Sequence, residues 1–157
     1  IFVWWLKMKD LFNFETDSGK NLQISDKNAQ IFKRCTDILL NLKIQPDVLG
    51  FNYLRNAVLI CLDDQTLLEN ITGALYPRLA KLYGVKASII ERCMRDAVNT
   101  AFVKGGLLGL NNLYDKVIYK NDFRPSSTEL IAIIVEKLRI EKIKNSLLQL
   151  LSQDDSK

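Results

Sequence analysis

Six polar residues, Ser88, Glu91, Arg92, Arg95, Asp96 and Asn99, bring hydroxyl, carboxylate, guanidinium and amide groups to one stretch of this chain. Their spacing of i, i+3, i+4, i+7, i+8 and i+11 sets them on one continuous stripe of a helix. Ile90, Met94, Ala97, Val98, Ala101 and Phe102 form the opposite, apolar stripe, which would pack inward. Upstream, Ala80 is followed four positions later by Gly84, and then by an S-x-x-E start at Ser88 and Glu91. That order predicts a helix-turn-helix. Gly84 takes the tight turn that a side chain would strain, and Ser88 and Glu91 are expected to cap the second helix reciprocally. The polar stripe is therefore a candidate recognition surface for the DNA major groove.

The elements that would hold this stripe in place read as helices almost without interruption, so the predicted fold is all-α. It is a bundle of about six helices with an extended last one. Ile31, Cys35, Ile38, Leu39 and Leu42 mark a first helix, closed near Gln45-Pro46. A second restarts at Pro46-Asp47, turns Tyr53, Leu54, Ala57, Val58 and Cys61 inward, and ends around Asp63-Asp64. A third is expected from Leu67 to Leu82, bent or broken by Pro77. The recognition helix follows and stops at Gly105-Gly106; a short helix covers Leu107 to Tyr114, and Lys116 to Pro125 is a loop. The last helix opens on Ser126 or Ser127 with Glu129 in its first turn, and runs toward Leu151.

Composition narrows the function classes. At 157 residues, with 48% apolar and 25% charged residues, the chain has the make-up of one globular domain with a real core. The formal charge is only +4. Between Asn70 and Gly105, however, Arg78, Lys81, Lys86, Arg92, Arg95 and Lys104 face only Glu91 and Asp96, so the excess gathers at the helix-turn-helix. A charged face also serves plain solvation, so charge alone does not decide its use. The chain holds no His, which removes His-based acid–base and nucleophile chemistry and the commonest metal ligand. Cys35, Cys61 and Cys93 are widely spaced and odd in number, and are expected to be small buried residues in a reducing compartment. There is no Gly-rich phosphate loop of the G-x-G-x-x-G or P-loop kind. No enzyme, no metal and no cofactor is expected.

At the N-terminus, Ile1-Phe2-Val3-Trp4-Trp5-Leu6 is too short to span a bilayer and has no small-residue cleavage site, so a membrane or secretory segment is not expected. A start at Ile suggests a fragment, a processed form or an upstream extension, with Met8 a candidate natural start. The polar stretch Glu15 to Lys27 reads as a linker. The expected organisation is an N-terminal extension over 1–26, the helix-turn-helix domain over 27–141, and a helical extension and tail over 142–157.

Four stretches, in order, carry a family resemblance. They are Tyr53-Leu54-Arg55-Asn56-Ala57; Ile71-Thr72 through Leu75-Tyr76-Pro77 to Leu79-Ala80-Lys81; Ala87-Ser88 with Glu91-Arg92 and Arg95; and Arg124-Pro125 through Glu129, Ile131-Ala132 and Glu136-Lys137-Leu138-Arg139. From about Gln30 to Glu141 the chain resembles the C-terminal DNA-binding effector domain of the stage-zero sporulation response regulator of spore-forming Firmicutes. The resemblance implies a bacterial cytoplasmic, nucleoid-associated transcription regulator that reads a short TGTCGAA-like box in double-stranded DNA. It also implies tandem or dimeric pairing through the last helix, with RNA polymerase a further possible partner.

The resemblance assigns base reading to Glu91 and Arg92, with Arg95 one turn on. Arg can fork onto guanine O6 and N7, and Glu can accept from cytosine N4. Lys86, Ser88, Asn99 and Lys104 are the candidates for backbone phosphates, which position the helix without reading sequence. Structural alternatives stand beside these: Glu91 as the capping partner of Ser88, an exposed Glu91–Arg95 pair, and a merely solvated Asn99. Ile89 and Asp96 depart from the family pattern, where a basic residue and a His are usual, and should weaken or alter DNA binding. The family's receiver domain has no counterpart here, which suggests an excised effector domain or a receiver-less relative. A competing expectation is an interaction module that pairs with a full-length regulator or RNA polymerase. From Lys142 to Leu151 the chain passes the family's usual end, and is expected either to fold back on the domain or to form a helix-mediated dimer.

Overall fold

The structure, a computed structural model, describes residues 22–155. Over them the chain forms six α-helices: α1 (Leu22–Asn41), α2 (Leu49–Asp63), α3 (Tyr76–Tyr83), α4 (Ala87–Val103), α5 (Gly109–Tyr114) and α6 (Ser127–Asp154). No strand occurs among the described residues, so the fold is all-α as its periodicity requires. The chain divides into two compact units at Arg34/Cys35, and the helix-turn-helix belongs to the second. The apolar N-terminal run and Met8 lie outside the described residues. The linker expected over 15–27 is corrected in its last part, where α1 already begins at Leu22.

The centre of the fold is α2. It is buried nearly all round, from Gly50 to Cys61, as a helix enclosed by others must be. Cys35, Ile38 and Leu39 of α1, Leu42 just past its end, Ile90, Met94 and Val98 of α4, and Leu130, Ile131, Ile134 and Val135 of α6 complete the core, each at most 2% exposed. Arg55 is buried with them and donates to Thr36 Oγ1 (3.2 Å) and Asn52 Oδ1 (2.9 Å), so its charge enters the core with hydrogen-bond partners.

Two helix ends fix the path of the chain. At α1 the backbone N–H of Ile44 donates to Leu39 O (3.1 Å) and that of Lys43 to Leu40 O (2.9 Å), with Lys43 at φ 58°. This is a Schellman closure that uses Lys where Gly is the common choice. At α3 the same closure falls on Gly84 (φ 67°), with Val85 N donating to Ala80 O at 3.0 Å. Gly84 therefore does what the sequence required of it.

The third helix needs correction. Instead of one helix from Leu67 to Leu82, the chain makes a 3-10 turn (Gln65–Asn70), a π turn (Ile71–Leu75) and only then α3. Each irregular turn is started by a side chain: Asp64 accepts from Thr66 N at 3.2 Å, and Asn70 from Gly73 N at 3.0 Å. Pro77 sits in the first turn of α3, where its fixed φ suits the helix. Cys35 and Cys61 are buried as expected, whereas Cys93 is only half-buried.

Candidate nucleic-acid interface

The orientation of α4 comes from the core beneath it. At Gly50 the backbone of α2 runs so close to α4 that an added Cβ would stand 2.2 Å from Cys93 O and 2.7 Å from Ala97 Cβ. Only glycine allows this approach. The buried side of α4 is Ile90, Met94, Ala97, Val98 and Ala101, with Phe102 half-buried. The turn before α4 is anchored separately. Tyr83, the last residue of α3, receives a short hydrogen bond from Asn56 Nδ2, and its ring meets Tyr53 edge-on at 4.7 Å between centroids. Both anchors lie on α2, so one buried helix positions both arms of the helix-turn-helix.

On the outward side Glu91, Arg92, Arg95 and Asp96 are exposed on one face, together with Ser88 and, at the two ends, Lys86 and Lys104. Arg95 Nη1 lies 3.5 Å from Glu91 Oε1, and Arg92 Nε lies 4.0 Å from Asp96 Oδ2. Both are i, i+4 pairs in open solvent. Such pairs are worth about 0.3–0.5 kcal/mol, little enough for a stronger partner to displace them. Tyr76 is buried, and burial pushes its hydroxyl up to about 12. The Glu91 carboxylate adds to that rise and the Arg95 guanidinium opposes it, so the pair stands close to a neutral phenol. Among the other cations of the region, Arg78 lies 3.9 Å from Asp64.

The expected reciprocal cap at Ser88 and Glu91 is not formed, and this corrects the sequence reading. The N-cap of α4 is Lys86, in extended conformation (φ −75°, ψ 146°), with no side-chain cap bond. Its carbonyl accepts from Ile89 N (3.0 Å) and Ile90 N (3.3 Å), so Ser88 already lies within the first helical turn. A capping side chain must come from the extended residue itself. Glu91 turns instead to Arg95.

One residue at this surface was not singled out as a candidate. Arg124, in the loop before α6, donates to Asn99 Oδ1 through Nε (3.2 Å) and Nη2 (2.8 Å), and its guanidinium lies 5.5 Å from the Phe102 ring centroid. It ties the loop to the C-terminal half of α4 and engages the oxygen of Asn99. The only sequence signal was the Arg-Pro pair that ends the loop, and nothing local joins it to a helix 25 positions earlier. Lys104 contributes its carbonyl to Lys43 Nζ at 3.1 Å, while its own side chain stays exposed. Among the described residues no group of three or more His, Cys, Asp or Glu could hold a metal ion, and no helix is long and apolar enough to cross a membrane.

A buried platform, a glycine turn, and an outward helix face carrying arginines define a helix-turn-helix domain of the DNA-binding class. The particular family follows from comparison with known proteins: the family model described as "Sporulation initiation factor Spo0A C terminal" matches residues 35–138. The chain belongs to that family, which consists of DNA-binding effector domains of response regulators rather than enzymes. The resemblance of its four motifs is thereby borne out, and the chain is a DNA-binding regulator domain.

Proposed function

We propose that this domain reads a short TGTCGAA-like box in promoters of sporulation-related genes by laying α4 in the major groove. Glu91, Arg92 and Arg95 are the base readers in this account, and Lys86, Ser88, Asn99 and Lys104 hold the flanking phosphates. The observation that carries the reading is the exposed face of α4: two arginines and a glutamate on consecutive turns, held by weak pairs and released from any capping duty. On contact, guanine would take the Arg92 fork from Asp96, and cytosine N4 would compete with Arg95 for Glu91. Arg124 presents Asn99 at the far end of the same face, where a phosphate would meet the remaining amide donor. Copies on neighbouring boxes would pair in tandem and engage RNA polymerase, in the bacterial cytoplasm.

The test is fluorescence anisotropy of a labelled duplex bearing the box, against a scrambled duplex, across a salt series. The reading expects preference for the box and a steep fall of affinity with salt. Equal, salt-sensitive binding to both duplexes would leave a backbone binder without sequence reading. One observation favours a second reading, an interaction module that pairs with a full-length regulator. Ile89, 43% exposed, and Asp96 put an apolar and an acidic group on the face where phosphates would lie. Absence of DNA binding even at low salt would support that reading over the first.

A further inference from the structure

The last helix outruns its domain. Leu138 is the final residue of α6 that the core buries, yet the helix continues to Asp154, roughly 24 Å further at the α-helical rise. It does not fold back. On this segment Ile140, Ile143, Leu147, Leu148, Leu150 and Leu151 are 46–64% exposed. With Lys144 they fall within one arc of roughly 160° on the helical wheel, and Lys142, Asn145, Ser146 and Gln149 occupy the other side. A shallow apolar hollow between Ile140, Ile143, Lys144, Leu147 and Leu148 opens on that arc.

We infer that a second copy of this chain covers the stripe, the two α6 extensions packing antiparallel about Leu147. Ile140, Ile143, Leu147 and Leu150 have the alternating three- and four-residue spacing of a coiled-coil seam. Charge chooses the direction. Asp154 and Asp155 sit at the tip of the helix, where its own dipole disfavours acids, and toward its root Lys137, Arg139, Lys142 and Lys144 outnumber Glu136 and Glu141. Antiparallel packing brings the acidic tip of one copy level with Ile140 and Arg139 of the other, about a turn from Lys144. Parallel packing would set Asp154 against Asp154 and Lys144 against Lys144. Arg139 already pairs with Glu136 of its own helix at 2.9 Å and Lys137 with Glu141 at 3.8 Å, which leaves Lys144 as the cation of the stripe that the acidic tip meets first.

Covering both stripes removes on the order of 1,000 Å² in total, the low end for a specific interface, so the dimer is reversible. This surface lies beyond residues 35–138 and is distinct from the tandem pairing proposed above, which needs DNA to align the copies. It also stands apart from DNA reading and is measured without DNA.

Sedimentation equilibrium of the full chain tests it. The expected mass rises with concentration from the 18.0 kDa monomer toward twice that value between ~1 and ~100 μM. Leu147→Glu should stay monomeric throughout, with its thermal unfolding unchanged at concentrations where the wild type is also monomeric, because Leu147 is not part of the buried core. Lys144→Glu should weaken association, as should Asp154→Lys with Asp155→Lys, and combining all three changes should restore it. A wild-type chain monomeric at 100 μM overturns the proposal, and so does a Leu147→Glu chain that still dimerises. Failure of the triple change to restore pairing overturns the antiparallel arrangement. A monomeric wild type whose Trp4 and Trp5 emission shifts in Leu147→Glu would mean that the chain's own apolar N-terminus covers the stripe, and the second copy would be excluded.

Discussion

Two S-x-x-E segments open helices in this chain, and they do it differently. At α6, Ser126 is extended (φ −67°, ψ 165°); its Oγ accepts from Glu129 N at 3.2 Å, and Glu129 Oε2 accepts from Ser126 N at 2.7 Å. This is a complete capping box. At α4, Ser88-Ile89-Ile90-Glu91 has the same letters, but the Schellman turn at Gly84 delivers Lys86 as the extended residue, two positions too early. Ser88 and Glu91 are then helical residues on an open face. A motif of four residues does not set its own register; the preceding turn does. The cap that α4 forgoes leaves an acid and a hydroxyl where a ligand can reach them. The packing of α4 on α2 supplies the order that a cap would otherwise supply.

That contrast can be broken at its foundation first. If the core rather than a cap holds α4, Gly50→Ala should cost about 1–3 kcal/mol, because the new methyl collides with the Cys93 backbone carbonyl. Urea unfolding followed by circular dichroism would read this. Arg92→Ala should leave that unfolding curve within about 0.5 kcal/mol, since its pair with Asp96 is fully solvated. In titrations with the box duplex the same variant should lose ~1–3 kcal/mol and relax preference at one base pair. The two serines sharpen the contrast directly. Ser126→Ala should cost about 1 kcal/mol of stability, whereas Ser88→Ala should cost under about 0.5 kcal/mol, measured side by side in urea.

Much of this was legible in the sequence because it rests on local rules. Gly84 could be read as a turn, Ser126 with Glu129 as a helix start, and the two stripes of α4 as an inward and an outward face. The unreadable parts depend on distant partners. Gly50 looks like an ordinary glycine near a helix start until α4 is laid across it. Arg124 gains meaning only when its loop meets Asn99 and Phe102. The 3-10 and π turns before α3 arise where Asp64 and Asn70 start local turns of their own, a competition between side chain and helix that periodicity does not register. Lys43 closes α1 in a left-handed conformation that sequence rules assign first to glycine.

The most direct test of the account is Glu91→Gln, with stability and DNA reading measured on the same preparation. Glu91 is here a surface residue paired loosely with Arg95, so unfolding in urea should move by less than about 0.5 kcal/mol. The anisotropy-derived preference among single-base variants of the box should change at one position. A loss near 1 kcal/mol in stability, with base preference unaltered, would make Glu91 a structural cap and contradict the account.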